Sequence, residues 1–295
     1  MINTIILGAN GQLGQELSIR LSDTNNLLTL TKKDCDIKDV ISIEKKIKSF
    51  KPDFLINAAA YTDVDNSENF FELANEVNHK AVKNLAILAN KYKFTLIHFS
   101  TDYIFNSKDK IPISEEYPKS PINKYGYSKL LGEEAIINTT KRFIILRVSW
   151  VYGKYGNNFP KKIINLAKEN KTIDVVYDQI GSPTSTSLIS YVVEKLIDKY
   201  RNNNYEDNIF HLSPNGSCSW YDVSRHILKY IKKSTSNSNL FKLKEINPVR
   251  SSSFSTIAKR PKYSYLDNSK IKNFLEIEIE DWDVYLSNFL SKEIE

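Results

Sequence analysis

The strongest constraint on the fold is rhythm. In the first half of the chain, short and nearly uninterrupted apolar runs alternate with segments whose apolar residues recur at helical spacing. Residues 4–7, 27–31, 54–57, 94–100 and 143–148 predict strands, and 12–21, 40–50, 68–91 and 123–138 predict helices. Strands that are apolar on both faces must be covered on both. A β-α-β-α succession achieves this with a parallel sheet between two helical layers. The expectation is an α/β fold of the Rossmann type, a doubly wound parallel sheet.

Beyond residue 150 the rhythm loosens. Residues 158–168, 187–200, 219–232 and 281–290 predict helices, with a capping Ser219, and 209–212 predicts one more strand. Residues 234–239 and 251–255 read as polar surface loops. The expected division is a doubly wound domain over 1–150, to which 184–212 returns. A smaller α/β lobe then comprises 151–183 and 213–295.

Composition narrows the class. Of the 295 residues, 41% are hydrophobic and 26% charged, which is neither disordered nor collagen-like. No apolar run approaches the roughly 20 residues of a membrane helix, and residues 1–7 lack the basic flank of a signal peptide. Two cysteines, Cys35 and Cys218, make no disulfide framework, so a reducing cytoplasm is expected. The net charge of +6 comes from scattered lysine pairs, not from a basic stripe interleaved with aromatics. No nucleic-acid or membrane partner is expected, and an anionic small molecule is compatible.

Three of the nine glycines fall in Gly8-Ala9-Asn10-Gly11-Gln12-Leu13-Gly14, between the first predicted strand and the first helix. Glycine permits a tight turn and lets backbone N–H groups at a helix N-terminus approach a pyrophosphate. The bland alternative is a strand-to-helix turn that binds nothing. The second strand ends in Thr31-Lys32-Lys33, where many dehydrogenases place an acid for the ribose 2′-hydroxyl. A cation such as Lys32 suits a 2′-phosphate and therefore NADPH. NADH remains possible if Asp34 or Asp36 takes the ribose and the lysines are surface residues.

Tyr125 and Lys129 stand four apart, on one helical face. A phenol with a pKa of about 10 is a poor acid–base catalyst near neutrality. A neighbouring lysine cation is expected to lower it, and the same lysine can hold a cofactor ribose. Thr101 follows the strand 94–100, at the edge where ligands bind in parallel sheets, and can hydrogen-bond a carbonyl oxygen that Tyr125 protonates. Its alternative is a capping hydroxyl. The third strand runs into Asn57-Ala58-Ala59-Ala60-Tyr61, whose small residues permit close approach to a cofactor or simply pack tightly.

Together these segments resemble the extended short-chain dehydrogenase/reductase family, and within it the dTDP-4-dehydrorhamnose reductase branch. The more specific matches are Ser100-Thr101-Asp102-Tyr103, Arg147-Val148-Ser149-Trp150 and Gln179-Ile180-Gly181-Ser182-Pro183-Thr184. The resemblance implies that NADPH reduces the C4 keto group of a nucleotide-linked 4-keto-6-deoxy sugar, with Thr101, Tyr125 and Lys129 catalytic. It implies that Gly8, Asn10, Gly11, Gln12, Leu13 and Gly14 cradle the pyrophosphate. Asp36 and Ile37 would lie by the adenine, and Ala58, Ala59, Ala60 and Tyr61 along the cofactor. Thr62, Val64, Asp102, Tyr103 and Trp150 would line the sugar pocket, although Trp150 also reads as a core tryptophan. Gln179, Gly181 and Arg260 would face the nucleotide end, and Asn78 would be a supporting asparagine.

Some relatives are dimers bridged by magnesium through glutamates, a role Glu16 would fit. Ser185-Thr186-Ser187 stands where a second glutamate is sought, so no metal is expected, and the chain is expected as a monomer or homodimer. Two other readings stay open. A 4,6-dehydratase or epimerase would usually carry Thr-Asp-Glu where this chain has Thr101-Asp102-Tyr103. A non-catalytic regulatory subunit would keep the fold without turnover.

Overall fold

The computed structural model describes residues 1–201, 208–233 and 240–294, and the structural statements below concern these. The strands are β1 (Ile2–Leu7), β2 (Asn25–Leu30), β3 (Phe54–Asn57), β4 (Thr95–Thr101), β5 (Phe143–Val148), β6 (Thr172–Val176), β7 (Ile180–Gly181), β8 (Ile209–Leu212), β9 (Cys218–Ser219) and β10 (Glu245–Val249). The helices are α1 (Gln12–Leu21), α2 (Val40–Phe50), α3 (Val64–Asn69), α4 (Phe71–Asn75), α5 (Ala81–Tyr92), α6 (Lys124–Thr139), α7 (Phe159–Glu169), α8 (Thr186–Tyr200), α9 (Trp220–Lys233), α10 (Ser269–Leu275) and α11 (Trp282–Ile294).

A six-stranded sheet runs in the order β2-β1-β3-β4-β5-β8, with every pairing parallel. Alternate strand residues enter different cores, as the pleat requires. Ile6, Ile56, Ile97 and Ile144 pack with Leu17 and Leu21 of α1 and Ile189 and Val192 of α8. Ile5, Leu55, Leu96 and Ile145 pack with Ile43 and Ile47 of α2 and Val82 and Leu85 of α5. This is why the strands read as continuous apolar runs. Ile271 and Ile279, on either side of the end of α10, join the first of these cores. A third core unites α7, α9 and α11 beneath the parallel pair β6–β10.

Side chains set where several helices begin. Asp39, Asp63, Asn123, Asn158 and Ser185 each accept a backbone N–H in the first turn of the helix that follows. Ser219 forms a reciprocal box with Asp222: its hydroxyl accepts the Asp222 N–H, and its own N–H donates to the Asp222 carboxylate. The polar stretch 251–255 carries a short 3₁₀ turn over Ser251–Ser253 and is mostly exposed. The polar stretch 234–239 lies outside the described residues. None of the helices described is long and apolar enough to cross a membrane.

The single helix expected over 68–91 is instead several pieces. Phe70 leaves the helical region with φ −124° and ψ 52°, and Glu76–Lys80 forms a π turn ahead of α5. The extra residue of the π turn sets the buried Asn78 opposite Tyr61. Its amide accepts the Tyr61 N–H at 2.9 Å and donates to the Tyr61 carbonyl at 2.9 Å. The tertiary contact overrides the periodic pattern, as π turns at functional sites often do.

An ion pair joins α6 to β5 inside the molecule. Arg147 and Glu133 are 1% and 0% exposed, with Nη2 at 2.8 Å from Oε2 and Nε at 3.0 Å from Oε1. Arg147 Nη1 also donates to the Glu115 carbonyl at 3.1 Å and lies 3.2 Å from His211 Nε2. His211 Nδ1 faces the Ile113 carbonyl at 2.9 Å, so Nδ1 carries the hydrogen and Nε2 accepts from Arg147. Burial and the Arg147 charge press the imidazole pKa down to about 3, keeping it neutral. Replacing Arg147 with Met strands Glu133 and is expected to cost about 3–5 kcal/mol, read as a lower urea midpoint. The double variant Arg147→Met with Glu133→Leu should lose less than the single one.

Candidate active site

The chain moves from β1 to β2 on one side and to β3 on the other, so the loops after β1 and β3 part at a switch point. Gly8 turns there with φ +77°, and a Cβ on it would lie 2.7 Å from Ala59 N. The two loops can meet only because Gly8 has no side chain. Gly11 starts α1, and no side chain caps it, unlike α2, α6, α7 and α8. Beside it lies a cavity of about 390 Å³. It gathers Gly8, Asn10, Gly11, Lys32, Asp36, Ile37, Ala58, Ala59, Ala60 and Tyr61, all of them expected at the cofactor. Its wall carries Lys32 and Lys38, the cations a 2′-phosphate could meet, together with the carboxylates of Asp36 and Glu76. An uncapped helix end beside a half-apolar cleft with two lysines fits NADP.

Gln12, Leu13 and Gly14 stand behind this cavity and are not in its lining. Leu13 packs on the first core. The Gln12 amide donates to the Val151 carbonyl at 3.3 Å and accepts from Asn158 Nδ2 at 2.8 Å, tying the start of α1 to the cap of α7.

Thr101 ends β4, and its hydroxyl donates to Asp102 Oδ1 at 3.1 Å while accepting the Tyr103 N–H at 3.2 Å. Tyr125, in the first turn of α6, faces the same hydroxyl. Burial and the Asp102 carboxylate push the Tyr125 phenol up to about 12, opposed by the Thr101 hydroxyl. The Tyr103 ring meets the Tyr125 ring edge-on, with centroids 5.6 Å apart. Lys129 is buried one turn further along α6. Its Nζ donates to the Phe99 carbonyl at 2.6 Å and lies 3.2 Å from His98 Nε2. Burial lowers its pKa to about 8, opposed by Glu133. The expected lowering of the Tyr125 pKa by Lys129 is therefore corrected. The amine is turned to the Phe99 carbonyl, and desolvation dominates the phenol.

Asp102 is 2% exposed, and its Oδ2 has no hydrogen-bond partner among the described residues. Burial raises its pKa to about 7.

A larger cavity of about 1530 Å³ lies between the segments 106–110, 177–180 and 250–263. Gln179 and Arg260 line it, together with Lys108, Arg250, Lys259 and Lys262. The Arg260 guanidinium is already paired with Asp65, at 2.6 Å, and also donates to the Ala258 carbonyl at 3.0 Å. Gly181 does not reach this cavity. It packs against the Trp150 ring, where a Cβ would come within 2.7 Å of Cε2. Trp150 takes a left-handed φ of 48°, and its ring stacks on Trp220 with centroids 3.5 Å apart. Thr62 is exposed and Val64 half-buried at the start of α3, and neither lines either cavity. Sequence reading missed the roles of Asp65, Asn123 and His98. Of these only Asn123 carried a local signal, as an asparagine opening a predicted helix.

Residues 2–294 match the family described as the RmlD substrate binding domain. The dTDP-4-dehydrorhamnose reductase of Salmonella typhimurium is 32% identical, over 99% of this chain and 98% of that protein. That of Aggregatibacter actinomycetemcomitans is 35% identical, over 98% of each. The crystal structure of a dTDP-4-dehydrorhamnose reductase from Bacillus anthracis in complex with NADP is 34% identical. It covers 99% of both chains with a TM-score of 0.90.

The raised pKa of Asp102 has a stability consequence. Between its unfolded value near 3.8 and about 7, the folded state holds a proton that the unfolded chain releases, so rising pH erodes stability across that window. Asp102→Asn is expected to raise Tm at pH 8, with the gain fading as pH falls toward 4. A gain that does not vary with pH would contradict this.

Proposed function

The chain belongs to the RmlD substrate binding domain family, that of the dTDP-4-dehydrorhamnose reductases, and on that premise we propose that it reduces dTDP-4-dehydro-L-rhamnose to dTDP-L-rhamnose with NADPH. Bound NADPH would supply the hydride to C4. The chain's own task is to bind, orient and protonate. Gly8, Gly11, Ala58 to Tyr61, Lys32 and Asp36 would hold the dinucleotide in the smaller cavity. The basic wall of the larger one suits the diphosphate of the sugar nucleotide.

The observation that carries the reading is the convergence of Thr101 at the end of β4 and Tyr125 in the first turn of α6, with Tyr103 bonded to the one and packed on the other. The Tyr125 phenol is protonated at neutral pH, the state of a proton donor, and the burial that raises it makes it a weaker acid until charge develops on the C4 oxygen. Thr101, at the end of β4, can share the keto oxygen with that phenol. Lys129, anchored on the Phe99 carbonyl beside His98, would hold the cofactor ribose. The partner is the nucleotide sugar, and a cytoplasmic monomer or homodimer is the expected form.

The test is NADPH oxidation with dTDP-4-dehydro-β-L-rhamnose, the product identified by NMR and NADH run in parallel. Turnover to dTDP-L-rhamnose with preference for NADPH is expected. Absence of turnover while NADPH binds would reject the reaction. Tyr125→Phe should lower kcat by about 10²–10⁴-fold with an unchanged Kd for NADPH. Near-normal turnover would remove Tyr125 as the donor.

A further inference from the structure

The segment 258–264 crosses the larger cavity as a strap, and its Lys259, Arg260 and Lys262 line that cavity. It is fastened at three places. Asp65, near the start of α3, accepts the Ala258 N–H at 2.9 Å and pairs with Arg260. The Lys262 carbonyl accepts the Ile180 N–H at 2.9 Å, and the Ser264 N–H donates to the Ile180 carbonyl at 2.8 Å, binding the far end to β7. Between them, Asn123 Nδ2 donates to the Lys259 carbonyl at 2.8 Å.

Asn123 has a second duty. It is 6% exposed, and its Oδ1 accepts the Gly126 N–H at 2.7 Å, capping the helix that carries Tyr125 and Lys129. Both ends of one buried amide are thus spent, one on the strap and one on the first turn of α6. These segments are 136 residues apart in sequence. An amide is the side chain that can do both at this reach, because its donor and acceptor leave the same carbon.

We propose that Asn123 is a positioning residue that couples the basic strap to the proton-donor helix, so that seating the substrate's diphosphate and aiming the Tyr125 phenol depend on one side chain. The proposal rests on the functional reading above. A plain helix cap would do half of this: Asn, Asp and Ser cap about equally well, and Ala does not. Asp has no donor for the Lys259 carbonyl, and the Ser hydroxyl, one atom shorter than the amide arm, does not span from the Gly126 N–H to that carbonyl.

The experiment compares Asn123→Asp, Asn123→Ser and Asn123→Ala with the wild-type chain. Tm, Kd for NADPH, Kd for dTDP by titration calorimetry, and KM and kcat with the nucleotide sugar are measured. Asp and Ser should keep the wild-type Tm and NADPH affinity. Their KM and their Kd for dTDP should rise about fivefold, the size of one neutral hydrogen bond, and kcat should fall by a similar factor. Ala should show the same kinetic loss with a Tm lower by about 2 °C. Full kinetic rescue by Asp or Ser would reduce Asn123 to a cap and overturn the proposal. A raised KM with unchanged kcat would overturn the coupling. If the wild type binds dTDP but does not turn over, the functional reading falls. In that case the dTDP comparison still decides, an unchanged affinity in Asp and Ser overturning the proposal.

Discussion

The buried pairing of Arg147 with Glu133 is the interaction on which the rest of the site depends. Arg147 stands near the end of β5 and Glu133 on α6, so two charges with no access to water hold α6 against the sheet. Their burial is tolerable because the remaining donors are used as well. The Glu115 carbonyl and the His211 ring take what Glu133 leaves. That network also reaches the segment after β4, through Ile113 and the Glu115 carboxylate, which accepts the His211 N–H at 2.8 Å. The segment after β4, the edge strand β8 and α6 therefore share one electrostatic anchor. A pair of this kind adds little net stability over an apolar replacement, but it penalises any arrangement that separates its members.

With α6 held at its middle, the geometry of its first turn follows from local contacts. Asn78, set by the π turn, bridges the Tyr61 backbone to the Ser128 hydroxyl at 3.0 Å, and Ser128 in turn donates to the Tyr125 carbonyl at 2.7 Å. The loop after β3 and α6 are thus joined by a buried asparagine on one flank. Asn123 joins α6 to the segment 258–264 on the other. The position of α6 is specified from three directions, the support that an accurately placed side chain needs.

Much of this was legible in the sequence, and the reasons can be located. The parallel sheet was readable because Ile5 and Ile6, or Leu55 and Ile56, must both be buried, and only a sheet covered on two faces does that. The glycine cluster and the lining of the smaller cavity were readable because a strand–turn–helix places them locally. The environment of Tyr125 was not. Its i, i+4 relation to Lys129 is a local fact, whereas the direction of its pKa shift comes from desolvation and from Asp102, which arrive through tertiary packing. Gly181 carried the same ambiguity. Its motif suggested a ligand contact, and the fold spends it on seating the Trp150 ring.

The sequence by itself determined the doubly wound sheet, the strand edge that carries Thr101, and the helical face shared by Tyr125 and Lys129. Each depends on residues within a few positions of one another, and periodicity and turn chemistry record such relations directly. Tertiary structure alone decided the break of the long helix at Phe70, the neutral state of His211, the strap held by Asp65 and Asn123, and the charge states around Thr101. Those rest on partners up to 195 residues apart and on exclusion of water. Burial and distance exist only once the chain has closed on itself.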